Sequence, residues 1–273
     1  MGVQRTVTSI LSTLAILGSG TALAEDFDPL NDRFSLSLGT FLLGTSTEIR
    51  VDGVTGRGTA IDTSRDLGIQ DSDRFRLDGY WRFADRHKVR VLYFDTKDSA
   101  SKTLQRDVDI GDTVFPLNLQ VDSTRETRII ELAYEYAFLR RDNYEIAGTI
   151  GVHDLHFGLN VSATQNNSMQ SLEAGRKADA SGPLPVIGLR GVWRVHPKLY
   201  FDAQAQFFKI SLDPYDGRLD DYNVSMVWTP FQHFGLGVGY NEFVTHLDVT
   251  ADRFNGNLRW RYGGARIFVT GSF

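Results

Sequence analysis

The residues whose types and spacing suggest chemistry most directly are His153, Asp154 and His156. In an extended strand Asp154 and His156 point to the same face, where a carboxylate can orient an imidazole for acid–base chemistry. The same pair offers two metal ligands, but no third ligand of suitable spacing accompanies it, and His153 would need a β-bulge to join. We therefore predict no catalytic residues and no metal site. We interpret Asp154 and His156 as polar groups at a membrane interface or in the lumen of the fold that the strand pattern below predicts. Catalysis at Asp154 and His156 is kept as an alternative.

A larger set of charged residues alternates with apolar residues along the chain. In the segment 74–83, arginine, aspartate and one tyrosine occupy every second position, and phenylalanine, leucine, glycine and tryptophan lie between them. This period of two predicts strands with one apolar and one polar face. The charged set on the polar faces consists of Arg74, Arg76, Asp78, Arg82, Arg90, Glu131, Glu135, Glu145, Arg190, Arg194, Asp202, Asp221, Arg259 and Arg261.

The elements that must position these residues are ten predicted strands. They are 33–50, 73–84, 87–97, 124–138, 143–162, 184–195, 198–211, 219–229, 233–250 and 254–273. Short turns near 84–86, 139–142, 196–197 and 229–232 alternate with longer polar connections at 51–72, 98–123, 163–183 and 212–218. This alternation of short turns and long loops is typical of outer-membrane barrels, whereas a sandwich has no reason to sort its loops in this way.

The predicted fold is therefore all-β, a transmembrane antiparallel up-and-down β-barrel of ten strands. Eight or twelve strands remain open, because 51–72 and 98–123 could hide a hairpin extension. A buried Arg or Lys on the lipid face costs about 2–4 kcal/mol, so the charged set must point into the lumen. In a narrow lumen long side chains of opposite charge fill the space and pair, which predicts a closed, ion-paired interior. A narrow polar pore lined by fixed charge is the alternative.

Aromatic residues gather on the apolar face just before the short turns. Three of the four tryptophans lie at this end of the strands. Amphipathic rings suit the headgroup layer of a bilayer, so we predict an aromatic girdle at one membrane interface. Its members are Trp81, Phe83, Tyr136, Phe138, Trp193 and Trp228.

The first 24 residues have the pattern of a secretory signal peptide. Arg5 is their only charge, an apolar stretch covers 10–17, and the small-residue motif Ala-Leu-Ala ends at position 24. The apolar stretch is too short to span a bilayer as a helix. We predict that residues 1–24 are a cleaved signal peptide and that 25–273 form the barrel.

Composition excludes several classes of function. The absence of cysteine excludes a disulfide framework, a thiolate metal site and a cysteine nucleophile. With 29 Lys and Arg against 34 Asp and Glu, the formal net charge is −5, which argues against nucleic acid as a partner.

The chain ends on Phe273, and Ile267, Val269 and Gly271 occupy the alternate positions before it. A terminal aromatic on an amphipathic last strand resembles the assembly signal of Gram-negative outer-membrane proteins. Over the whole mature chain the organisation resembles the small outer-membrane β-barrel proteins, of which the OmpA transmembrane domain and the OmpW and OmpX types are members. The resemblance is architectural, and no functional motif of one family accompanies it.

The resemblance implies a place in the outer membrane of a Gram-negative bacterium, and an even strand number puts both termini on the periplasmic side. It implies outer-membrane lipid and lipopolysaccharide as partners, with the barrel-assembly machinery during biogenesis. We expect a monomer without a cofactor and without enzymatic activity, whose role is structural or surface-interacting. A narrow, porin-like channel for small polar solutes is the first alternative. Because small outer-membrane barrels include proteases and lipid A-modifying enzymes, a hydrolase or lipid A-modifying enzyme is the second.

Overall fold

A computed structural model of the chain describes residues 27–41, 45–52, 58–70, 74–167, 170–212, 215–251 and 254–273. The predicted signal peptide, 1–24, lies outside these residues. Within the described ranges, no helix has the length and apolar character that a membrane crossing requires.

The described residues form fourteen strands. In chain order they are β1 (Phe34–Phe41), β2 (Thr45–Val51), β3 (Ile61–Asp62), β4 (Arg74–Ala84), β5 (His87–Thr103), β6 (Val108–Ile110), β7 (Thr113–Phe115), β8 (Gln120–Arg141), β9 (Tyr144–Asn167), β10 (Gln170–His196), β11 (Leu199–Leu212), β12 (Tyr215–Trp228), β13 (Phe234–Ala251) and β14 (Phe254–Ser272).

Ten of these strands form a closed antiparallel barrel. Their order is β1-β4-β5-β8-β9-β10-β11-β12-β13-β14, and β14 returns to β1 through pairs from Ser35↔Ser272 to Phe41↔Arg266. Strand β2 continues along β14 beyond β1, so it adds length to the wall and no further strand. The predicted ten-stranded up-and-down barrel is confirmed. Closure leaves no sheet edge along this seam, where unpaired backbone groups in lipid would each cost several kcal/mol.

The barrel has two different ends, which we call the turn end and the loop end. At the turn end short turns join β4 to β5, β8 to β9, β10 to β11 and β12 to β13. Both ends of the described chain meet there, because the amides of Arg33 and Phe34 each donate to the carbonyl of Phe273 at 2.8 Å. The loop end carries the longer connections.

Much of what was predicted as long loops is strand. Strands β9 and β10 pair from Trp193↔Tyr144 up to Gln170↔Asn167, so the prediction of a loop at 163–183 is wrong. Strands β5 and β8 likewise pair up to Thr103↔Gln120, and the small β6–β7 hairpin follows. This extension was foreseen as a possibility for 98–123, but it lengthens existing strands and adds none to the barrel. The segments lack an apolar outer face because they rise above the lipid-facing band, where the outer side meets water.

Side chains alternate between the outer wall and the interior. On β8, Leu132 and Phe138 are half exposed, whereas Glu131 and Glu135 are buried. In a closed barrel the exposed series faces outward and the buried series faces the lumen. Toward the loop end the interior becomes apolar, with Ile61, Phe115 and Phe157 fully buried in the core that we call the loop-end core.

Arg259 and Arg261 do not point into the lumen, so the prediction for these two residues is wrong. Both side chains are about three-fifths exposed on the outer wall, where Arg261 pairs with Glu242 at 2.7 Å and Arg259 lies 3.8 Å from Glu48. The inward position between them is Trp260, which is buried in the loop-end core. The polarity of β14 thus reverses along its length, because the interior is apolar where the outer side is wet.

Candidate functional site: the charged lumen

The mouth of the lumen at the turn end is occupied by residues 27–33, which we call the plug segment. Phe27 and Leu30 are buried there. Its backbone carbonyls accept hydrogen bonds from lumen side chains: Tyr200 donates to Phe27 at 3.0 Å and Arg140 donates to Leu30 at 2.7 Å. Arg194, a predicted lumen residue, forms an ion pair with Asp28 of this segment. The alternation of the sequence carries no signal for this plug segment.

Above the plug segment, Glu145 lies among three cations. Its carboxylate is 2.8 Å from Arg82, in contact with Lys88 and 3.7 Å from Arg140. Glu145, Arg82 and Lys88 are all buried, so each charge is compensated by its ion-pair partners instead of by water. Lys88 was missing from the predicted set, although its position two residues before Arg90 gives it the same parity.

The middle of the lumen is organised around Asp78. This carboxylate pairs with Arg76 at 2.8 Å and with Arg266 at 3.1 Å, and Arg76 also donates to the side-chain oxygen of Asn241. Arg266 was not predicted, yet its alternation with the outward Ile267 is a signal that would have found it. Arg74, the remaining arginine of β4, pairs through its backbone with Phe41, and its side chain lies outside the described part of the structure.

A second charged group spans the lumen between β5, β8, β10 and β11. Glu135 lies 3.3 Å from Arg90 and 4.0 Å from Arg190, and Arg190 forms an ion pair with Asp202. Arg190 also donates to the amide oxygen of Gln204 at 2.7 Å. Four of the predicted residues thus meet, from strands that are distant in sequence.

The top of the charged region is a buried cluster of Glu131, His153, Gln206 and Asp221. His153 Nε2 lies 3.4 Å from Glu131 and 3.1 Å from the side-chain oxygen of Gln206, whose amide donates to Glu131 at 2.7 Å. One ligand atom from each of Glu131, His153 and Asp221 lies within 4.8 Å of the others, so these three residues could hold a metal ion. The ring of Phe243 stacks on His153 at 6.0 Å and covers the cluster.

His153 is the lumen histidine, and Asp154 and His156 are not lumen residues. Asp154 is exposed on the outer wall, His156 is half-buried there, and their register partners on β10 are Pro183 and Ser181. The structure therefore separates the predicted candidate pair from the carboxylates of the lumen. The inward residues of β9 have the odd parity of Glu145, which places His153 in the lumen and Asp154 and His156 on the outer wall.

A further buried ion pair, Arg125 with Asp98, lies inside the loop-end core. The two side chains are 2.8 Å apart and almost fully buried. Arg125 also donates to the hydroxyls of Thr47 and Thr63 at 3.2 and 3.1 Å, and thereby ties the wall to the connection after β3. Asp98 lies in the segment 98–123, which was predicted as a polar connection, and its pairing with Arg125 was not predicted.

The connection after β3 carries a carboxylate of altered acidity. Burial raises the pKa of Asp66, but hydrogen bonds from Arg106 at 2.7 Å and Arg65 at 3.4 Å outweigh it, and the pKa ends below its ordinary value. The charged form of Asp66 therefore fastens this connection to the segment before β6.

The predicted girdle residues all lie on the outer wall near the turn end. Trp81, Phe83, Tyr136, Phe138, Trp193 and Trp228 are exposed there. Phe34 stacks on Trp81 at 6.2 Å, and Phe273 at the chain end stacks on His233 at 5.1 Å.

Little open space remains within the charged lumen. The polar cavity bordered by Asp78, Arg90, Glu131, Arg190 and Asp202 measures about 80 Å³. A small space with this many polar groups around it suits a few ordered waters. The arrangement is a set of neutralised charges rather than an open passage.

Comparison with known proteins assigns the architecture. No family model matches the chain, and no curated protein sequence matches it. Among solved structures, the outer-membrane protease OmpT of Escherichia coli is similar with a TM-score of 0.55 and 10% identity, covering 89% of this chain and 97% of that one. Ail of Yersinia pestis (TM-score 0.36, 11% identity, 88% and 97% covered) and the toluene transporter TodX of P. putida (0.35, 7%, 89% and 90%) also match. The chain thus has the fold of the Gram-negative outer-membrane β-barrels.

Proposed function

We propose that the protein is an outer-membrane barrel with a closed lumen, which acts without catalysis as a structural or surface-interacting component. The observation that carries this proposal is that three successive layers fill the interior. They are the plug segment, the charged groups around Glu145, Asp78 and Glu135, and the loop-end core. A passage for solutes would have to cross all three.

The same layers argue against an enzyme in the lumen. Glu131, His153 and Asp221 have the residue types of a catalytic or metal centre, but all three side chains are buried between the charged groups and Phe243. A substrate would need to reach them through the filled interior. Asp154 and His156 face outward, and their register neighbours on β8 and β10 add no further carboxylate or imidazole: Ile130 and Pro183 lie beside Asp154, and Arg128 and Ser181 lie beside His156.

The outer wall supports the proposed location and partners. The exposed apolar side chains and the aromatics near the turn end suit contact with lipid, and the charged outer wall of the loop end suits the lipopolysaccharide surface. We assign the protein to the outer membrane of a Gram-negative bacterium, as a monomer with the turn end and both termini on the periplasmic side. Lipid, lipopolysaccharide and the barrel-assembly machinery are its proposed partners.

The closed lumen is tested by recording from the refolded barrel in a planar lipid bilayer. We expect no discrete openings, because the plug segment, the charged groups and the loop-end core lie across the path of an ion. Heat-dependent migration in gels confirms that the barrel is folded, and a porin added afterwards to the same bilayer confirms that insertion events are detectable. Stable openings would overturn the proposal in favour of the narrow channel.

The proposed assembly signal is tested with Phe273→Ala. Its ring is exposed in the folded barrel, so truncation removes little packing, and refolding of the purified chain should match the wild type. In cells we expect the folded barrel in the outer-membrane fraction to fall several-fold. Phe231→Ala, an equally exposed aromatic at the turn end, serves as the control and should leave the amount unchanged. Equal amounts of the two variants would refute the role of Phe273.

A further inference from the structure

The wall of the barrel is incomplete between β10 and β11 toward the loop end. Their pairing covers Ile187↔Phe207 to His196↔Leu199, whereas β10 begins at Gln170 and β11 continues to Leu212. In the described part of the chain, residues of β10 before Ile187 pair with β9 only, and Phe208 to Leu212 pair with β12 only. Two strand edges therefore face each other without forming a ladder.

Two prolines mark the β10 edge. Pro183 and Pro185 have the same parity, both are exposed, and both pair on their other side with β9. Proline has no amide hydrogen to donate and is confined to edge strands within sheets. The two prolines in β10 thus favour an unpaired edge toward β11 at this level.

An apolar cavity lies behind the gap. It measures about 330 Å³, and its walls include Leu155, Leu184, Phe208, Leu247 and Leu258 from five strands. This volume lies within the range of about 300–1,000 Å³ that small-molecule sites occupy. The cavity is separate from the polar space around Asp78, with which it shares no lining residue.

On the outer side of the gap lies a groove of about 570 Å³. Pro185, Phe208 and Arg218 line both the groove and the inner cavity, so the two spaces adjoin at the gap. Ile187 and Phe207, the last outward apolar residues of β10 and β11, lie at the lower side of the groove. The groove is therefore continuous with the lipid-facing band.

The groove carries positive charge where the apolar band ends. Lys209 and Arg218 are register partners on β11 and β12, and both line the groove. Arg218 also pairs at 2.6 Å with Asp220, which lines the groove as well, so these three side chains together carry one net positive charge. An apolar entrance below two cations matches a lipid whose chains lie below a phosphate.

We infer that this gap is a lateral binding site that admits a hydrocarbon chain of a phosphate-bearing lipid from the surrounding leaflet. The chain lies in the inner cavity against Leu155 and Leu258, and the phosphate lies outside at Lys209 and Arg218. The inference rests on the proposed membrane location, and it adds a ligand that enters from the side rather than along the lumen.

Tryptophan quenching by lipids brominated on their acyl chains tests this site, because bromine quenches only at short range. Trp260 is buried next to the cavity: it is the inward residue after Leu258 on β14 and pairs with Thr245, and both of these line the cavity. The full mature barrel with Trp81, Trp193 and Trp228 changed to phenylalanine reports from Trp260 alone. In brominated phosphatidylglycerol vesicles we expect its fluorescence to fall relative to unbrominated vesicles.

A pair of glycine variants separates a chain in the cavity from bromine in the bulk lipid. Gly182 lines the cavity, and a Cβ there would meet no atom within 4 Å, so Gly182→Phe fills the space without a clash at the backbone. Gly148, which is equally unobstructed, lies on the outer wall toward the turn end, and Gly148→Phe is the matched control. We expect the quenching of Trp260 to be at least halved by Gly182→Phe and unchanged by Gly148→Phe.

Equal quenching in the two glycine variants, or none in the parent, would overturn the inference. Quenching by a brominated alkanol but not by the brominated lipid would also overturn it, in favour of a small apolar solute. A companion barrel that retains only Trp228, which faces outward, reports insertion itself. If Trp228 is not quenched, the proposed membrane location fails; if it is quenched and Trp260 is not, only the lateral site fails.

Discussion

Replacing Asp98 with alanine is expected to lower the free energy of unfolding by about 3–5 kcal/mol, the usual loss when one partner of a buried ion pair is removed. The variant leaves the guanidinium of Arg125 in the loop-end core with hydroxyl partners such as Thr47 and Thr63 but without this carboxylate. Hydrogen bonds to hydroxyls offset only part of the free-energy cost of removing a cation from water. Urea unfolding in lipid vesicles, followed by tryptophan fluorescence, measures the loss.

The chain offers a matched control one residue away on each strand. Lys97 and Glu126 are the adjacent register pair of β5 and β8 and lie 2.5 Å apart, but they face outward and are largely exposed. Exposed ion pairs contribute about 0–1 kcal/mol, so Glu126→Ala should change stability by no more than that. A loss for Asp98→Ala as small as that for Glu126→Ala would contradict the role assigned to the buried pair.

Glu145→Ala should destabilise the turn end by a similar amount, about 3–5 kcal/mol, because it leaves the buried cations Arg82 and Lys88 close together without their shared carboxylate. The same unfolding measurement applies. Glu242→Ala, which removes the outer-wall partner of Arg261, should stay within about 1 kcal/mol.

A second substitution distinguishes charge from packing in this effect. Adding Lys88→Met to Glu145→Ala removes one of the two stranded cations and keeps an apolar side chain of similar length. The double variant should therefore be more stable than Glu145→Ala alone, by about 0.5–3 kcal/mol. If the two losses add instead, the carboxylate acts by filling space rather than by neutralising Arg82 and Lys88.

The barrel could be predicted because the sequence pattern that defines it is local to each strand and turn. Each strand repeats a period of two, and the short turns fix which strands are neighbours, so ten strands and their order follow from alternation and spacing. Closure needs no extra signal, since the last strand must cover the edge of the first in lipid. The segment 163–183 escaped this rule because its strands rise above the apolar band, where the outer face is no longer required to be apolar.

Parity within a strand predicts which residues face the lumen, as Glu145 does for His153 on β9, but which lumen residues meet depends on the register between strands, and that was only partly predictable. Counting back from the pair Arg141↔Tyr144 with an unbroken register places Glu131 opposite Asp154. The irregularity at 137–139 shifts the register by one, so Glu131 lies opposite His153 instead. The residue types at 137–139 do not indicate this shift. The reversal of polarity on β14, which moved Arg259 and Arg261 outward, likewise depends on what fills the interior.

The seam between β1 and β14 gives the barrel an unusual distribution of contacts along the chain. Every other pair of neighbouring wall strands is joined by a single turn or connection, whereas the hydroxyls of Ser35 and Thr270 meet at this seam across 235 positions. Each doubling of a closed loop costs only about 0.6 kcal/mol, so the seam lowers equilibrium stability little. It concentrates the contact order of the fold in one pairing, however, and non-local pairing slows folding. Nine of the ten wall pairings can form by extension from a hairpin of neighbouring strands. The tenth, between β1 and β14, forms only when the first and last strands of the barrel come together.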